Sequence, residues 1–361
     1  MLIIGCDFHP SGQQVFMVES ASGEVLADRW IEHQGEEVKK FYASLPAGAV
    51  VGVEASGNMV WFERLLQSYG HELWIGDAVK IRKQDERKQK TDRRDAELIA
   101  RLIQEGRFPR LQWVPSLGER DLRQLLLHRH KLVRLRAQIK CQLQHIAINQ
   151  GVQRKHKLWT QKGREVLESL ELEPWTQRRR DDLLRLMEDV GKQCWELDQA
   201  VLVAAEANVR ARLLMSHPGV GPVISLAMVL TVGKVERFPN SRTLVSYLGL
   251  NPSEDSSGER RRQGAISKQG NSFMRYLLVQ GAQTAARTDP AWKRQYKRLA
   301  MRKHRALAKV MIARKLAVRL YWMLRTNTPY PEVVRMQGSS SHPVVERPTS
   351  LSERPASQRR Q

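Results

Sequence analysis

The sequence predicts an α/β domain with a mixed sheet, followed by a longer all-α region. Three observations carry that prediction. Strand-like and helix-like stretches alternate through the first hundred residues, an apolar seam at heptad spacing follows Pro115, and Gly- and Pro-rich turns separate short helices after His217. At 361 residues and 41% hydrophobic composition, the chain is longer than one typical domain and can bury real cores. The expected divisions are 1–115, a helical coiled-coil connector over 116–205, a mainly helical domain over 206–335 and a tail over 336–361.

In chain order, "MLIIGCDFH" reads as a short apolar strand, and "QQVFMVES" and "EVLADRWIEH" follow at hairpin spacing around Gly-containing turns. "GEEVKKFYASL" is an amphipathic helix, "AVVGVEASG" a buried strand, and "NMVWFERLLQSYG" a helix ended by Gly70. "HELWIGD" is a further strand. "TDRRDAELIARLIQEG" is a helix with Thr or Asp at its start and Gly106 after its end. Beyond Pro115, Leu132, Leu135, Ile139, Leu143 and Ile146 form one seam, and Leu183, Met187, Val190, Cys194, Leu197 and Val201 form another. An antiparallel hairpin within the chain and a dimerising coiled coil fit these seams equally, with Pro174 and Trp175 marking the break between the helices. From Pro290 to Pro331 there are twelve Lys or Arg and no acid, while Val310, Ala313, Ala317, Leu320 and Leu324 keep an apolar helical stripe. After Gly338 the chain is rich in Ser, Pro and Arg without apolar periodicity, which predicts a disordered tail.

Sixty Lys and Arg against 38 Asp and Glu leave a net charge of +22, and an excess of that size points to a polyanionic partner, nucleic acid first. The longest apolar run, "PVISLAMVLTVG", is far short of the roughly 20 residues of a membrane-spanning helix. Three separated cysteines, Cys6, Cys141 and Cys194, give neither a disulfide framework nor a CxxC zinc site, and a cytoplasmic location is expected. The opening residues lack the pattern of an export signal.

Against this basic background four acids stand out. Asp7 and Glu54 close apolar strands, where an unpaired carboxylate is costly. Asp92 and Asp95, three apart on one helix, project from one face. Taken singly, Asp92 reads as a helix cap and Asp95 as a surface partner of Lys90 or Arg94. If that helix packs beside the first strand, however, the four acids converge into an oxygen-rich set suited to Mg²⁺. That joint pattern is the acidic arrangement of RNase H-like, RuvC-type nucleases.

"GCDFH", "GVEASG" and "KTDRRDAELIA" resemble the DEDD motifs of the insertion-sequence 110 family of transposases. The likeness continues through "HPGVGPVISLAMVL" and "FPNSRTLVSYLGLNPSEDSSGERRRQGAISKQGNSFMRYLL", covering roughly residues 1 to 330. It implies a RuvC-like N-terminal domain with Asp7, Glu54, Asp92 and Asp95 as catalytic, Mg²⁺-binding acids. It also implies a C-terminal transposase domain whose nucleophilic serine falls on Ser257, with Ser256 adjacent as the alternative. By the same resemblance, DNA would be cut and rejoined through a covalent 5′-phosphoserine. Donor and target DNA, a structured guide (bridge) RNA and further copies of the chain, as dimer or tetramer, would be its partners in a bacterial nucleoid.

The residues around the serine suit that chemistry. Arg260, Arg261, Arg262 and Lys268 can hold a phosphate, although a solvated basic loop is the plainer alternative. Gly264 and Gly270 permit close backbone approach. "HPGVGP" reads either as a hairpin whose backbone N–H groups, at Gly219 and Gly221, meet a phosphate, or as a tight helix–helix turn. His128 and His130 lack metal-site spacing and read as helix-face residues. Lys297, Arg298, Arg302 and Lys303 are the expected nucleic-acid contacts in the acid-free segment. A water-activating nuclease and a non-enzymatic nucleic-acid-binding protein are the two rival functions.

Overall fold

The computed structural model describes residues 1–57, 59–84, 91–153, 157–254 and 263–338. The chain forms two compact units, Met1–Val114 and a second beginning at Pro115.

The first unit is a five-stranded sheet with helices on both faces. Its elements are β1 (Leu2–Phe8), β2 (Gly12–Glu19), β3 (Val25–Glu32), α1 (Glu37–Ala43), β4 (Val50–Glu54), α2 (Val60–Ser68), β5 (Glu72–Gly76), α3 (Ala78–Arg82) and α4 (Asp92–Gln104). Strands run in the order β3-β2-β1-β4-β5. The β1–β2 and β2–β3 pairs are antiparallel, and β1–β4 and β4–β5 are parallel, so the sheet is mixed as the sequence predicts. Alternation along β1 divides the core. Ile4 and Cys6 pack with Phe41, Tyr42 and Phe62 on one side, and Ile3 packs with Ile99, Leu102 and Ile103 of α4 on the other.

Two glycines let α4 lie close to the sheet. Gly5 and Gly52 are register partners on β1 and β4. A Cβ at Gly5 would fall 1.9 Å from the Ala96 carbonyl oxygen, and one at Gly52 2.3 Å from Ile103 Cδ1. Small residues on both sides, Gly5 against Ala96 and Ala100, therefore bring the helix backbone down onto the strand. Thr91, not Asp92, caps α4, its hydroxyl accepting from the Arg94 N–H at 3.4 Å. That corrects the capping alternative for Asp92 and leaves its carboxylate for other contacts.

Among the described residues the second unit is helical apart from one ribbon. It contains α5 (Leu117–Asn149), α6 (Gln161–Glu168), α7 (Pro174–Ala207), α8 (Val209–Met215), α9 (Pro222–Val232) and α10 (Ser241–Tyr247). The ribbon β6 (Pro252–Glu254) and β7 (Gln263–Ile266) follows, then α11 (Ser272–Thr288), α12 (Pro290–Ala300), α13 (Arg305–Thr326) and α14 (Tyr330–Gly338). The heptad seams meet each other: Ile139, Leu143 and Ile146 of α5 share a core with Leu183, Val190 and Cys194 of α7. Arg129 pairs with Asp198, and Arg179 donates to Gln142, so the two helices are antiparallel. The intrachain hairpin is the arrangement observed, and α6, which the apolar pattern does not predict, interrupts its connection. Arg180 of α7 ties that insertion down by donating to the carbonyls of Leu167, Glu168 and Leu170.

Nine of the eleven residues of α9 are buried, matching its uniformly apolar sequence. Its C-terminal end meets three arginines. Arg123 donates to the Leu230 carbonyl, Arg237 to those of Thr231 and Val232, and Arg210 to that of Gly233. These are carbonyls that the end of a helix leaves without an intrahelical partner, where cations are also favoured by the macrodipole. Among the described residues no helix is long and apolar enough to cross a membrane. The expected tail after Gly338 lies outside the described residues.

Candidate functional site

The face of the sheet that carries α4 places the predicted acids. Two residues beyond the register pair Gly5 and Gly52 come Asp7 on β1 and Glu54 on β4, at the carboxyl ends of two parallel strands. Strand periodicity puts each on the face of its glycine. The α4 backbone rests on that face, so the first turn of α4 brings Asp92 and Asp95 to the same edge. Asp7, Glu54 and Asp95 line one cavity of about 300 Å³ together with Ile81, Arg82, Leu98 and Ile99. Asp92 meets Asp7 through His9. The imidazole Nε2 of His9 lies 3.1 Å from Asp7 Oδ2 and 3.6 Å from Asp92 Oδ2.

Asp7 is the centre of this arrangement electrostatically as well as spatially. Burial raises its pKa above the ordinary carboxylate value, His9 opposes that shift, and the charges of Asp95 and Asp92 add to it. Its side chain is 16% exposed, whereas that of Asp92 is 53% exposed. One half-buried acid and one open acid thus lie beside each other, with the imidazole between them. On the cavity side Arg82 donates to Glu54 Oε1 at 3.0 Å. Gln14, register partner of Asp7 on β2, donates to Asp28, which also pairs with Arg93 of α4 at 2.5 Å.

The donor set fits a divalent cation. One ligand atom from each of Asp7, His9 and Asp92 lies within 4.8 Å of the others, and carboxylate and imidazole donors are both groups that can bind a divalent ion. His9 and Arg82 are the two contributors that the sequence reading misses. His9 follows Asp7 by two residues and so shares its face, a signal present in "GCDFH". Arg82 sits on α3, a five-residue helix capped by Asp77 and too short to show a period.

The remaining predicted site residues belong to the second unit. Ser257, its alternative Ser256, and Arg260, Arg261 and Arg262 lie outside the described residues, in the segment that connects β6 to β7. Lys268 is exposed, with φ of 56°, and its N–H donates to the Gly249 carbonyl. Gly270 and Gly264 do permit close approach, but to the chain itself: Cβ atoms there would meet the Tyr247 carbonyl at 2.2 Å and Ser253 Oγ at 2.6 Å. Gly219, with φ of 84°, faces the Gly281 carbonyl and the Ala285 N–H of α11, while Gly221 precedes α9 with open space at its Cβ position. The turn between α8 and α9, His217 to Pro222, lines an open pocket. Lys297 and Arg298 on α12, and Arg302 and Lys303 after it, are all exposed. His130 packs against Phe273 and Tyr276, as a helix-face residue would.

Two family matches cover these two regions. Residues 4–147, which include Asp7, His9, Glu54, Asp92 and Asp95, match a transposase family of DEDD type. Residues 211–297 match the family described as Transposase IS116/IS110/IS902. An acid-bearing mixed sheet and a basic helical region, matched in this order, define an insertion-sequence transposase, a class whose work is transposition and DNA recombination. The chain belongs to the IS110 family of these transposases. It is 26% identical over 342 residues to a "Probable family 20 transposase" of Pseudomonas aeruginosa, covering 91% of this chain and 98% of the relative. It is 27% identical to the transposase for insertion sequence element IS1111A of Coxiella burnetii, over 68% of each chain. It is 26% identical to the pilin gene-inverting protein of Moraxella lacunata, over 67% of this chain and 68% of the relative.

Proposed function

We propose that the chain is a DNA recombinase in which the acids of an RNase H-like first unit and a serine of the second act on the same phosphodiester. The observation that carries this reading is the meeting of Asp7, Glu54, Asp92 and Asp95 at one edge of the sheet, within the residues matched to a DEDD transposase family. The strand order and the mixed pairing support the RNase H-like assignment.

The four acids would hold Mg²⁺, which when bound withdraws charge from a phosphate oxygen and favours an oxygen nucleophile. Asp7, the half-buried member on β1, would fix the site to the sheet. Asp92, the exposed member, can follow the substrate. Ser257 Oγ attacks phosphorus, a P–Oγ bond forms, the P–O3′ bond breaks, and the 3′-oxygen leaves with a proton. The phosphoserine on the 5′ side keeps the ester, so a 3′-hydroxyl from another end can reverse the step and restore Ser257. Lys268, Arg260, Arg261 and Arg262 would hold the phosphate, and Lys297, Arg298, Arg302 and Lys303 the flanking backbone. Donor and target DNA are the substrates. A structured guide RNA, assembly as dimer or tetramer, and work at the bacterial nucleoid complete the reading, consistent with the basic charge.

The test is a covalent trap. Full-length wild type, Ser257→Ala and Ser256→Ala are incubated with end-labelled cognate DNA and Mg²⁺, and protein-linked label is resolved on a denaturing gel. The reading requires label on wild type and Ser256→Ala and none on Ser257→Ala. The reverse pattern moves the nucleophile to Ser256. Cut DNA with no protein-linked label in any sample makes the protein a water-activating nuclease instead.

A further inference from the structure

We propose that His9 is a ligand of the divalent cation, supplying the nitrogen donor of an otherwise carboxylate site. The inference rests on the metal-binding reading above and adds a residue to it. His9 is just past the last residue of β1 and two positions after Asp7, so it emerges at the carboxyl edge on the face that carries α4. Its Nε2 reaches both the half-buried Asp7 and the exposed Asp92, at 3.1 and 3.6 Å, although these acids come from different elements. The three ligand atoms fall within 4.8 Å of one another, a separation that a single ion can span.

Two features argue against a merely structural histidine. The His9 side chain is 39% exposed, so it fills no gap in the core and can adjust to an ion. Asp7 also has a second set of neighbours, Glu54 and Asp95, across the cavity. Asp7 is therefore shared by two groups of donors, one all oxygen and one containing an imidazole. Imidazole suits first-row transition metals better than Mg²⁺, which strongly prefers oxygen. The group with His9 should accordingly favour Mn²⁺ over Mg²⁺, whereas the group with Glu54 should not.

The experiment uses Mn²⁺ as the probe and needs no DNA. The full chain is stripped with chelator, titrated with Mn²⁺, and the bound ion is examined by pulsed electron paramagnetic resonance for coupling to an imidazole ¹⁴N. Wild type should bind Mn²⁺ with ¹⁴N coupling. His9→Gln, which keeps an amide donor for Asp7 but has no ring nitrogen, should lose the coupling and bind Mn²⁺ about 10-fold or more weakly. Its Mg²⁺ affinity, read by competition, should change less, and an unchanged circular dichroism spectrum would certify its fold. Bound Mn²⁺ without ¹⁴N coupling in wild type, or coupling that survives in His9→Gln, overturns the role of His9 and leaves an all-carboxylate site. Failure of wild type to bind Mn²⁺ better than Asp7→Asn overturns the metal site itself.

Discussion

Residues 1–114 carry 17 Asp and Glu against 15 Lys and Arg, a net charge of −2, whereas residues 115–361 carry 21 against 45, a net charge of +24. The whole basic excess thus belongs to the second unit, and the first is close to neutral. The two also use charge differently. In the first unit, backbone proximity at Gly5 and Gly52 sets acids beside one another, so that the charges of Asp95 and Asp92 add to the raised pKa of Asp7. In the second, Arg123, Arg210 and Arg237 turn inward onto the end of α9, and Arg180 onto the end of α6. A net charge of +24 therefore overstates the number of cations free to meet phosphate. Part of it closes helices.

The largest expected effect comes from breaking the repulsive site. Asp7→Asn should lower DNA cleavage by about 10³-fold or more, the scale on which a group acting in the transition state is missed. The metal-free protein should meanwhile melt at an equal or higher temperature, because a half-buried carboxylate held near Asp92 and Asp95 has been neutralised. Cleavage assays in Mg²⁺ and calorimetry in chelator would check both halves. Loss of activity accompanied by a lower melting temperature would make Asp7 a structural residue.

Asp7 and His217, one in each unit, respond to acid with opposite sign. The folded-state pKa of Asp7 is raised, so the folded form holds its proton more tightly than the unfolded chain. Its contribution to stability is present at low pH and lost as pH rises through the folded value. His217 behaves oppositely. It is buried against Trp292 and Tyr330, and burial lowers its pKa from 6.5 to about 4, with the charge of Arg319 adding to the shift and that of Asp289 opposing it. The unfolded chain takes up that proton first, so stability is full above pH 6.5 and falls as pH drops toward 4, by about 3 kcal/mol in all. Urea unfolding of the second unit at pH 7 and pH 4.5 should show most of this loss in wild type. A His217→Phe variant should show much less, and equal slopes in the two proteins would discard the histidine as the cause.

Much of this is legible in the sequence, and the parts that are not have physical reasons. α4 and the two seams follow from apolar period, since each buries one face, and the central strands from short apolar runs between turn residues. The meeting of Asp7, Glu54, Asp92 and Asp95 depends on α4 lying against β1, and the signal for it is present in the small residues: Gly5 opposite Ala96 and Ala100, with its register partner Gly52 under Ile99 and Ile103. The seams cannot name their partner, because Leu143 packs equally well on its own chain or on another; the Arg129–Asp198 pair decides it. α3, at five residues, is too short to show a period, and α6 has too few apolar positions. His9 is hidden by its ordinary role as a strand-end residue. The inward arginines are illegible for a different reason, since a side chain that caps a distant helix carries no local mark.

The smallest expected effect is also the one that separates inward from outward charge. Arg237→Ala removes hydrogen bonds of 2.8 and 3.1 Å to the carbonyls of Val232 and Thr231, and hydrogen bonds from a charged donor contribute about 1.5–3 kcal/mol. It should destabilise the second unit by that amount and leave the salt dependence of DNA binding untouched. Replacing Lys297, Arg298, Arg302 and Lys303 together by Gln should do the reverse. All four are exposed, and surface substitutions of this kind shift stability by about 0.5 kcal/mol or less. Every phosphate no longer neutralised by the protein should lower the slope of log K against log salt by about 0.9 on duplex or 0.7 on single strands. Titrating fluorescent DNA at several salt concentrations, with a urea melt of each variant, measures both quantities on the same proteins. A slope that falls for Arg237→Ala would show that its guanidinium reaches DNA as well as α9. A slope that stays fixed for the quadruple variant would make α12 and the turn after it a solvated face, and nucleic acid would then have to be held by other basic residues of the second unit.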